Sequence, residues 1–258
     1  MSVTALGITP LTWTATRLAV LGDSTGVGVG DPVAGGWRGV GALLAEALGA
    51  VEHNVAFEGA RVACVRERQL PLVLEGRPDA AIVIAGMNDT LRSDFDPARL
   101  REDLGHIVTR LQASGARVVL ARYHDHGRVF RMPSVLKRAL KKRIDQLNDV
   151  IDQVQADTKA GLLDLDAIPG AYEHAVWSVD RLHPSELGHR LLAEGFAARL
   201  AETGCAISTP VSLVCQGGRR ITVAHHIAWL IVRGIPWVCR RGRDLIPLMV
   251  RAVVERRT

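Results

Sequence analysis

Five residues in four separate segments of this chain could act together in acyl transfer. Ser24 and Asn88 each follow a short apolar run, Gly59 follows another, and Asp180 and His183 share a polar loop. A serine hydroxyl is a nucleophile when a base reaches it, and the reaction also needs donors for the oxyanion. Together the five residues supply each of these groups.

The chemistry predicts a role for each residue. Ser24 Oγ would attack an ester carbonyl, and His183 would accept its proton and return it to the leaving alcohol. Asp180 lies three residues before His183, so its carboxylate can hold the imidazole in one tautomer. The backbone N–H groups of Ser24 and Gly59 and the side-chain amide of Asn88 would form the oxyanion hole.

The polar residues of these segments also have ordinary structural interpretations. A serine after Gly-Asp is usually part of a turn, and an isolated asparagine usually caps a loop. We expect Asp23 to fix the turn through backbone hydrogen bonds, and His189 to pack against the last helix. His124 and His126 are the rivals for the base, but neither has an acidic residue three positions before it.

Strand and helix patterns alternate across residues 17–202. Short apolar runs predict strands at 18–21, 51–55, 80–85, 118–121 and 162–165. Apolar residues at helical spacing predict helices at 37–48, 97–113, 134–159 and 186–202, with 61–74 helical or irregular. The alternation indicates an α/β protein with a mainly parallel five-stranded sheet covered on both faces. Ligands bind at the carboxyl ends of the strands in such sheets, where the polar segments would meet.

The glycine-rich stretch 26–36 follows Ser24. It lacks the lysine of a phosphate-binding Walker motif and matches the dinucleotide fingerprint only loosely. We interpret it as a flexible loop with little side-chain bulk to block a substrate.

Composition argues against several functional classes. The 258 residues carry a formal charge of +5, the basic residues are spread along the chain, and only 4% are aromatic, so no nucleic-acid surface is expected. The four cysteines lack metal-binding spacing, so we expect free thiols, a reducing compartment and neither a metal nor another cofactor. No secretory signal or bilayer-spanning apolar run is visible, which predicts a cytoplasmic protein.

Residues 205–258 differ in pattern from residues 1–204, which we expect to form the main domain. The extension could contain a hairpin of 211–215 with 221–224, followed by apolar segments among Trp and Arg residues. We expect it to pack on the main domain or on a second copy of the chain in a homodimer. A membrane-surface helix is the alternative, although prolines interrupt the apolar segments.

The polar segments resemble the motif blocks of the SGNH (GDSL-type) hydrolases. The blocks are Leu21-Gly22-Asp23-Ser24, Asn54-x-Ala56-x-x-Gly59-Ala60, Gly86-Met87-Asn88-Asp89 and Asp180-x-x-His183-Pro184. They occur in the family's order, and the resemblance spans residues 17–200. It implies a three-layer flavodoxin-like fold, hydrolysis of carboxylic esters and no metal. The C-terminal extension is similar to tails on actinobacterial members.

These observations predict a serine esterase that hydrolyses acyl or acetyl esters through an acyl-enzyme on Ser24. An acyltransferase with the same serine and an alcohol acceptor is the nearest alternative, and an inert binding module is the least favoured. The loops 90–96 and 122–133 are expected to form the cleft walls. Four arginines in them could attract an anionic substrate group: Arg92, Arg122, Arg128 and Arg131.

Overall fold

A computed structural model describes residues 12–129, 132–217 and 232 of the chain. Its strands are β1 (Arg17–Gly22), β2 (Pro32–Val33), β3 (Gly36–Trp37), β4 (Val51–Asn54), β5 (Ala80–Ile84), β6 (Arg117–Arg122) and β7 (Gly161–Asp164). Five of them form one sheet in the order β4-β1-β5-β6-β7, and every neighbouring pair in it is parallel. β2 and β3 form a separate antiparallel ribbon. The predicted five-stranded parallel sheet is confirmed.

Eight α-helical segments accompany the strands in the described residues. They are α1 (Ser24–Val27), α2 (Gly39–Leu48), α3 (Val62–Cys64), α4 (Leu70–Glu75), α5 (Met87–Thr90), α6 (Pro97–Ala113), α7 (Ser134–Thr158) and α8 (Glu186–Ala201). A π-helical turn, Val65–Gln69, joins α3 to α4. α2 packs against α8, and α6 packs against α7, and each pair contacts the sheet. The result is a three-layer α/β architecture in which none of the described helices has the length and hydropathy to cross a membrane.

The centre of the sheet is the most buried part of the fold. All five residues of β5 are buried, as are the residues of β1 after Arg17. Strands that are covered on both faces are typically continuous apolar runs, and this is the pattern that predicted them. β4, at the edge, is largely exposed.

The helix ends follow local chemistry. α6 begins and ends where the sequence predicts. Its start is fixed because the Asp96 carboxylate accepts hydrogen bonds from the Ala98 and Arg99 amides. α7 stops at Thr158 because Lys159 adopts a left-handed φ of 58°. α2 starts two residues later than predicted, since Trp37 belongs to the β2–β3 ribbon.

The first part of the glycine-rich stretch, residues 26–31, is tightly packed, which differs from the predicted flexible loop, whereas residues 32–36 are exposed. The whole stretch contains α1 and the β2–β3 ribbon. A Cβ at Gly28 would lie 2.7 Å from the Cα of Gly39, and a Cβ at Gly30 would overlap the carbonyl oxygen of Pro184. These glycines therefore let the backbone approach α2 and the loop that carries His183.

Residues 205–217, the C-terminal segment, run across α2 and α8. Ser208 Oγ donates to the carbonyl of Leu48 at 2.9 Å, and the Arg190 guanidinium donates to the carbonyl of Ser212 at 2.6 Å. Residues 211–215 are irregular and do not form the first strand of the expected hairpin. The expected partner strand, 221–224, lies outside the described residues.

Candidate active site

The structure brings Ser24, His183 and Asp180 into one hydrogen-bonded chain. His183 Nε2 lies 2.7 Å from Ser24 Oγ, and His183 Nδ1 lies 2.6 Å from Asp180 Oδ2. A carboxylate only accepts, so Nδ1 carries the proton and donates a hydrogen bond to Asp180. Nε2 is then free to accept the Ser24 hydroxyl proton, which is the arrangement of a nucleophile with its base.

Ser24 begins α1 directly after β1, and the backbone there is held on both sides. The Asp23 amide donates to the carbonyl of Ile84 on β5 at 3.1 Å. Gly22 has a φ of +145°, and a Cβ at this position would overlap the Ile84 carbonyl. Asp23 Oδ1 accepts from the Thr25 amide at 3.0 Å, so the predicted turn-fixing role of Asp23 is confirmed.

Gln69 fixes the end of β1 and was not found by sequence reasoning. Its side-chain oxygen accepts from the Gly22 amide and its nitrogen donates to the Gly22 carbonyl, both at 2.8 Å. The side chain is buried. The sequence contained a signal for a buried Gln69. Its position has helical spacing with the apolar residues Val62, Val65 and Val73, so all four lie on one face. A polar residue on such a face needs a buried partner.

The loop that carries Asp180 and His183 is closed at its base. Trp177 and Pro184 form an isolated antiparallel bridge, and the Ser178 amide donates to the His183 carbonyl at 2.9 Å. Arg181, at the tip, adopts a left-handed φ of 58°. The loop is therefore a tight turn that presents the imidazole to Ser24.

Asp180 accepts several hydrogen bonds besides that of His183. Ser178 Oγ donates to Asp180 Oδ1 at 2.6 Å, and the backbone amides of Leu182 and His183 donate to the same oxygen at 2.8 and 3.0 Å. Burial alone would raise the pKa of Asp180, but the hydrogen bonds and the His183 charge lower it to about 2. Ser178 is a second site residue that the sequence analysis missed.

The residues that would supply the three predicted oxyanion donors, Ser24, Gly59 and Asn88, line one cavity. Within the described residues, the backbone amides of Ser24 and Gly59 donate to no protein acceptor. Asn88, on α5, donates from Nδ2 to the carbonyl of Ala60 at 3.1 Å, and this nitrogen lies 3.5 Å from Asp23 Oδ2. These contacts orient the Asn88 amide at the cavity wall.

Asp23 also lies at this wall, beside Ser24 and Asn88. Burial raises its pKa to about 6, although the Thr25 amide and the His183 charge act in the opposite direction. Asp89 adds a further negative charge nearby, which also raises the pKa of Asp23.

His124 and His126, the rival histidines, line the cavity, but it is His183 that forms the hydrogen bond with Ser24 Oγ. His124 Nε2 and His126 Nδ1 lie 3.1 Å apart, and both rings pack against Trp177. Burial lowers the pKa of His124 to about 4 and that of His126 to about 3. His189 is fully buried and donates from Nε2 to the carbonyl of Val29 at 3.1 Å, as expected for a packed residue.

The predicted cleft walls line the cavity through Leu91, Tyr123 and the two histidines, but not through arginines. Arg122 pairs with the Asp152 carboxylate at 3.0 Å, and the Arg128 guanidinium carbon lies 3.5 Å from the centre of the Tyr172 ring. Neither these two nor Arg92 lines the cavity, and Arg131 lies outside the described residues. In the described part of the chain, no three His, Cys, Asp or Glu side chains are grouped as metal ligands would be.

Solved structures with the same fold cover almost three quarters of the chain. The structure of TesA is 24% identical and covers 73% of this chain and 99% of its own, with a TM-score of 0.58. A lipase/acylhydrolase from Enterococcus faecalis is 23% identical, with coverage of 73% and 96% and a TM-score of 0.57. An acetyl xylan esterase variant from Geobacillus stearothermophilus is 20% identical, with coverage of 73% and 96% and a TM-score of 0.59. At these identities the likeness is evidence for the fold.

The family comparison covers the whole of the site described above. A search of curated proteins finds no match. Residues 20–191 match the model of the GDSL-like lipase/acylhydrolase family, a range that contains Ser24, Gly59, Asn88, Asp180 and His183. The chain therefore belongs to the GDSL-like lipase/acylhydrolase family of ester hydrolases.

Proposed function

We propose that the protein is a serine esterase that hydrolyses carboxylic esters through an acyl-enzyme on Ser24. The observation that carries the proposal is the continuous hydrogen-bonded chain from Ser24 through His183 to Asp180, with links of 2.7 and 2.6 Å. A nucleophile, a base and an orienting carboxylate in this geometry are the parts of acyl transfer by a serine.

In the first half-reaction, Ser24 Oγ bonds to the ester carbonyl carbon and its proton passes to His183 Nε2. The developing oxyanion is met by the Ser24 and Gly59 amides and by Asn88. The carbon–oxygen bond to the alcohol then breaks, and His183 returns the proton to the leaving alcohol. Asp180, ionised because its pKa is lowered to about 2, stabilises the imidazolium between these steps.

In the second half-reaction, water attacks the acyl carbon and gives its proton to His183. The bond to Ser24 Oγ breaks, the serine regains the proton and the carboxylic acid leaves. An alcohol in place of water would make the protein an acyltransferase, since only the acceptor differs.

A fluorophosphonate probe tests the nucleophile. We expect labelling of the native protein and of Ser114→Ala, a matched variant at the end of α6 that lies outside the cavity, and no labelling of Ser24→Ala. His183→Ala should stay folded and lower kcat by several orders of magnitude. Labelling of Ser24→Ala would contradict the assignment. Product analysis with an added alcohol then separates hydrolysis from transfer.

The remaining expectations stay proposals. We propose residues 1–204 as the hydrolase domain, and the contacts of residues 205–217 with α2 and α8 support packing of the extension on it. Cytoplasmic location, a homodimer, a membrane-surface role of the extension and its similarity to actinobacterial tails also stay predictions.

A further inference from the structure

The cavity at Ser24 continues into the apolar interior of the molecule. Its volume is about 350 Å³, within the range typical of small-molecule sites. Beyond the polar residues, its wall is built from the ends of β5 and β6, the segment after β7 and one face of α8. The residues that define this apolar wall are Ile84, Ala121, Leu165, Ile168, Leu192 and Phe196.

The apolar wall runs from a partly exposed mouth to a closed floor. Ile168 is half-buried, whereas Leu192 and Leu165 are buried. Phe196 has no exposed surface and Ile84 is 2% exposed, so the wall includes side chains that are covered from solvent. An apolar cavity of this kind favours an apolar ligand, because burial removes the ligand's surface from water.

The closed end of the cavity suits the acyl part of a substrate rather than the alcohol. The acyl group stays on Ser24 while the alcohol leaves and water enters, so only the acyl group can occupy a space with a closed floor throughout the reaction. The leaving group must exchange with solvent on the side of the imidazole, and the His183 side chain is 16% exposed.

The volume sets a size for the chain. One water occupies about 30 Å³ of liquid and a methylene group is of similar size, so 350 Å³ corresponds to about twelve such groups. The ester group at Ser24 takes part of this space, which leaves room for an acyl chain of about eight to ten carbons. Each buried methylene can raise kcat/KM by up to about fourfold.

We propose that this cavity binds a saturated acyl chain of medium length, so that the enzyme prefers medium-chain esters to acetyl esters. The inference rests on the proposed function, because it takes Ser24 as the atom that carries the acyl group. Tyr123, His124 and His126 complete the wall without adding a fixed charge, since both imidazoles are neutral near pH 7.

The first test uses the full chain with nitrophenyl esters from acetate to tetradecanoate. We expect kcat/KM to rise about 100-fold from acetate to octanoate and to fall again once the chain exceeds the cavity. A maximum at acetate, or equal values along the series, would overturn the proposal.

The second test decides which side of the ester enters the cavity. Ethyl octanoate and octyl acetate contain the same atoms, with the long chain on the acyl side or on the alcohol side. We expect ethyl octanoate to have the higher kcat/KM, by about tenfold or more. The reverse order would place the alcohol in the cavity and overturn the proposal.

The third test fills the cavity. Ala171 and Ala121 are buried lining residues, and Ala171→Leu and Ala121→Leu each add side-chain volume to the cavity. We expect the octanoate-to-acetate ratio of kcat/KM to fall about tenfold in each variant. Ala167→Leu, an exposed position four residues before Ala171, is the matched control and should keep the native ratio.

A folded filling variant with the native ratio would overturn the proposal, and thermal unfolding establishes which variants are folded. If neither folds, the two substrate series still decide. Failure of the proposed function looks different, since fluorophosphonate would then not label Ser24. Labelling of Ser24 without any acyl-chain preference refutes only the chain-length inference.

Discussion

At the residue scale, the site depends on Asp180, whose two carboxylate oxygens both accept hydrogen bonds. Asp180 accepts four hydrogen bonds, two of them from His183, and its pKa is lowered to about 2. The carboxylate is therefore ionised and oriented before substrate binds. Pre-orientation of this kind is what makes electrostatic stabilisation effective in the transition state.

Asn88→Ala tests the oxyanion donor. Loss of one such donor typically lowers kcat by about 10²–10³, and KM should change little because the oxyanion exists only in the transition state. Steady-state kinetics of the purified variant measure both constants. A rise in KM with native kcat would mean that Asn88 binds substrate rather than the oxyanion.

The buried histidines predict a loss of stability in acid. Burial lowers the pKa values of His124, His126 and His189 to about 4, 3 and 4. In the unfolded chain each titrates near pH 6.5, so below that pH the unfolded state binds more protons than the folded state. Stability should therefore fall as the pH drops from about 6.5 to about 4.

Asp23 acts in the opposite sense over part of this range. Its folded pKa of about 6 lies above the unfolded value of about 3.9, so the folded state binds more protons between these values. The destabilising effect of the three histidines exceeds the stabilising effect of the one carboxyl group. Urea unfolding at a series of pH values should therefore show a net loss in the free energy of unfolding as the pH falls. His189→Gln should flatten the pH dependence, whereas His174→Gln, at an exposed position, should not. Constant stability down to pH 4 would contradict this.

At the scale of elements, two buried amide side chains pair with the backbone at strand ends. Gln69 makes two hydrogen bonds with Gly22, the last residue of β1, and Asn148 of α7 makes two with Tyr123, directly after β6, all at 2.8 Å. Each amide replaces the pairing that a neighbouring strand would provide. Both strand ends border the cavity. The π-helical turn that contains Gln69 and the helix α7 that contains Asn148 therefore fix the backbone beside the site.

Gln69→Leu should destabilise the fold and misplace Ser24, the proposed nucleophile. It leaves the buried amide of Gly22 without a partner and the Gly22 carbonyl with only the hydrogen bond from the Phe57 amide at 3.4 Å. A buried polar group that loses its partner costs about 1–3 kcal/mol, so a loss of about 2–3 kcal/mol is expected. Denaturant unfolding measures it, together with kcat. Gln112→Leu is the matched control, because Gln112 makes a single half-buried hydrogen bond to Thr158. Equal losses in the two variants would argue against a special role for Gln69.

At the scale of the whole molecule, Glu186 connects remote parts of the chain three residues after His183. One carboxylate oxygen accepts hydrogen bonds from Arg38, from Arg190 and from the Gln216 amide. Burial alone would raise the pKa of Glu186, but these donors lower it to about 2. The C-terminal segment is thus tied to the start of α8 and, because Arg38 also pairs with Asp31 at 2.9 Å, to the glycine-rich stretch.

Glu186→Gln should lower both stability and activity. The buried Arg190 would lose its charged partner, which typically costs about 3–5 kcal/mol. We expect kcat to fall as well, because α8 starts directly after the His183 loop. Denaturant unfolding and steady-state kinetics check this. Glu202→Gln, which removes an exposed pair with Arg199, should change little. Native stability of Glu186→Gln would show that the network is dispensable.

The sequence by itself determined the strand–helix alternation, the parallel sheet and the segments that meet at the site. Apolar runs such as 80–85 and a cap such as Asp96 act locally, so their patterns are visible in one dimension. The spacing of Asp180 and His183 likewise implied their contact. The chemistry that each residue type allows completed that part of the prediction.

Only the tertiary structure decided which buried groups satisfy one another. The partners of Gln69, Ser178 and Glu186 and the close packing of Gly30 on Pro184 depend on contacts between distant segments. The depth of the cavity down to Phe196 likewise arises where α8 packs on the sheet. Such contacts leave little trace in sequence spacing, because the three-dimensional fold and not chain order brings the groups together.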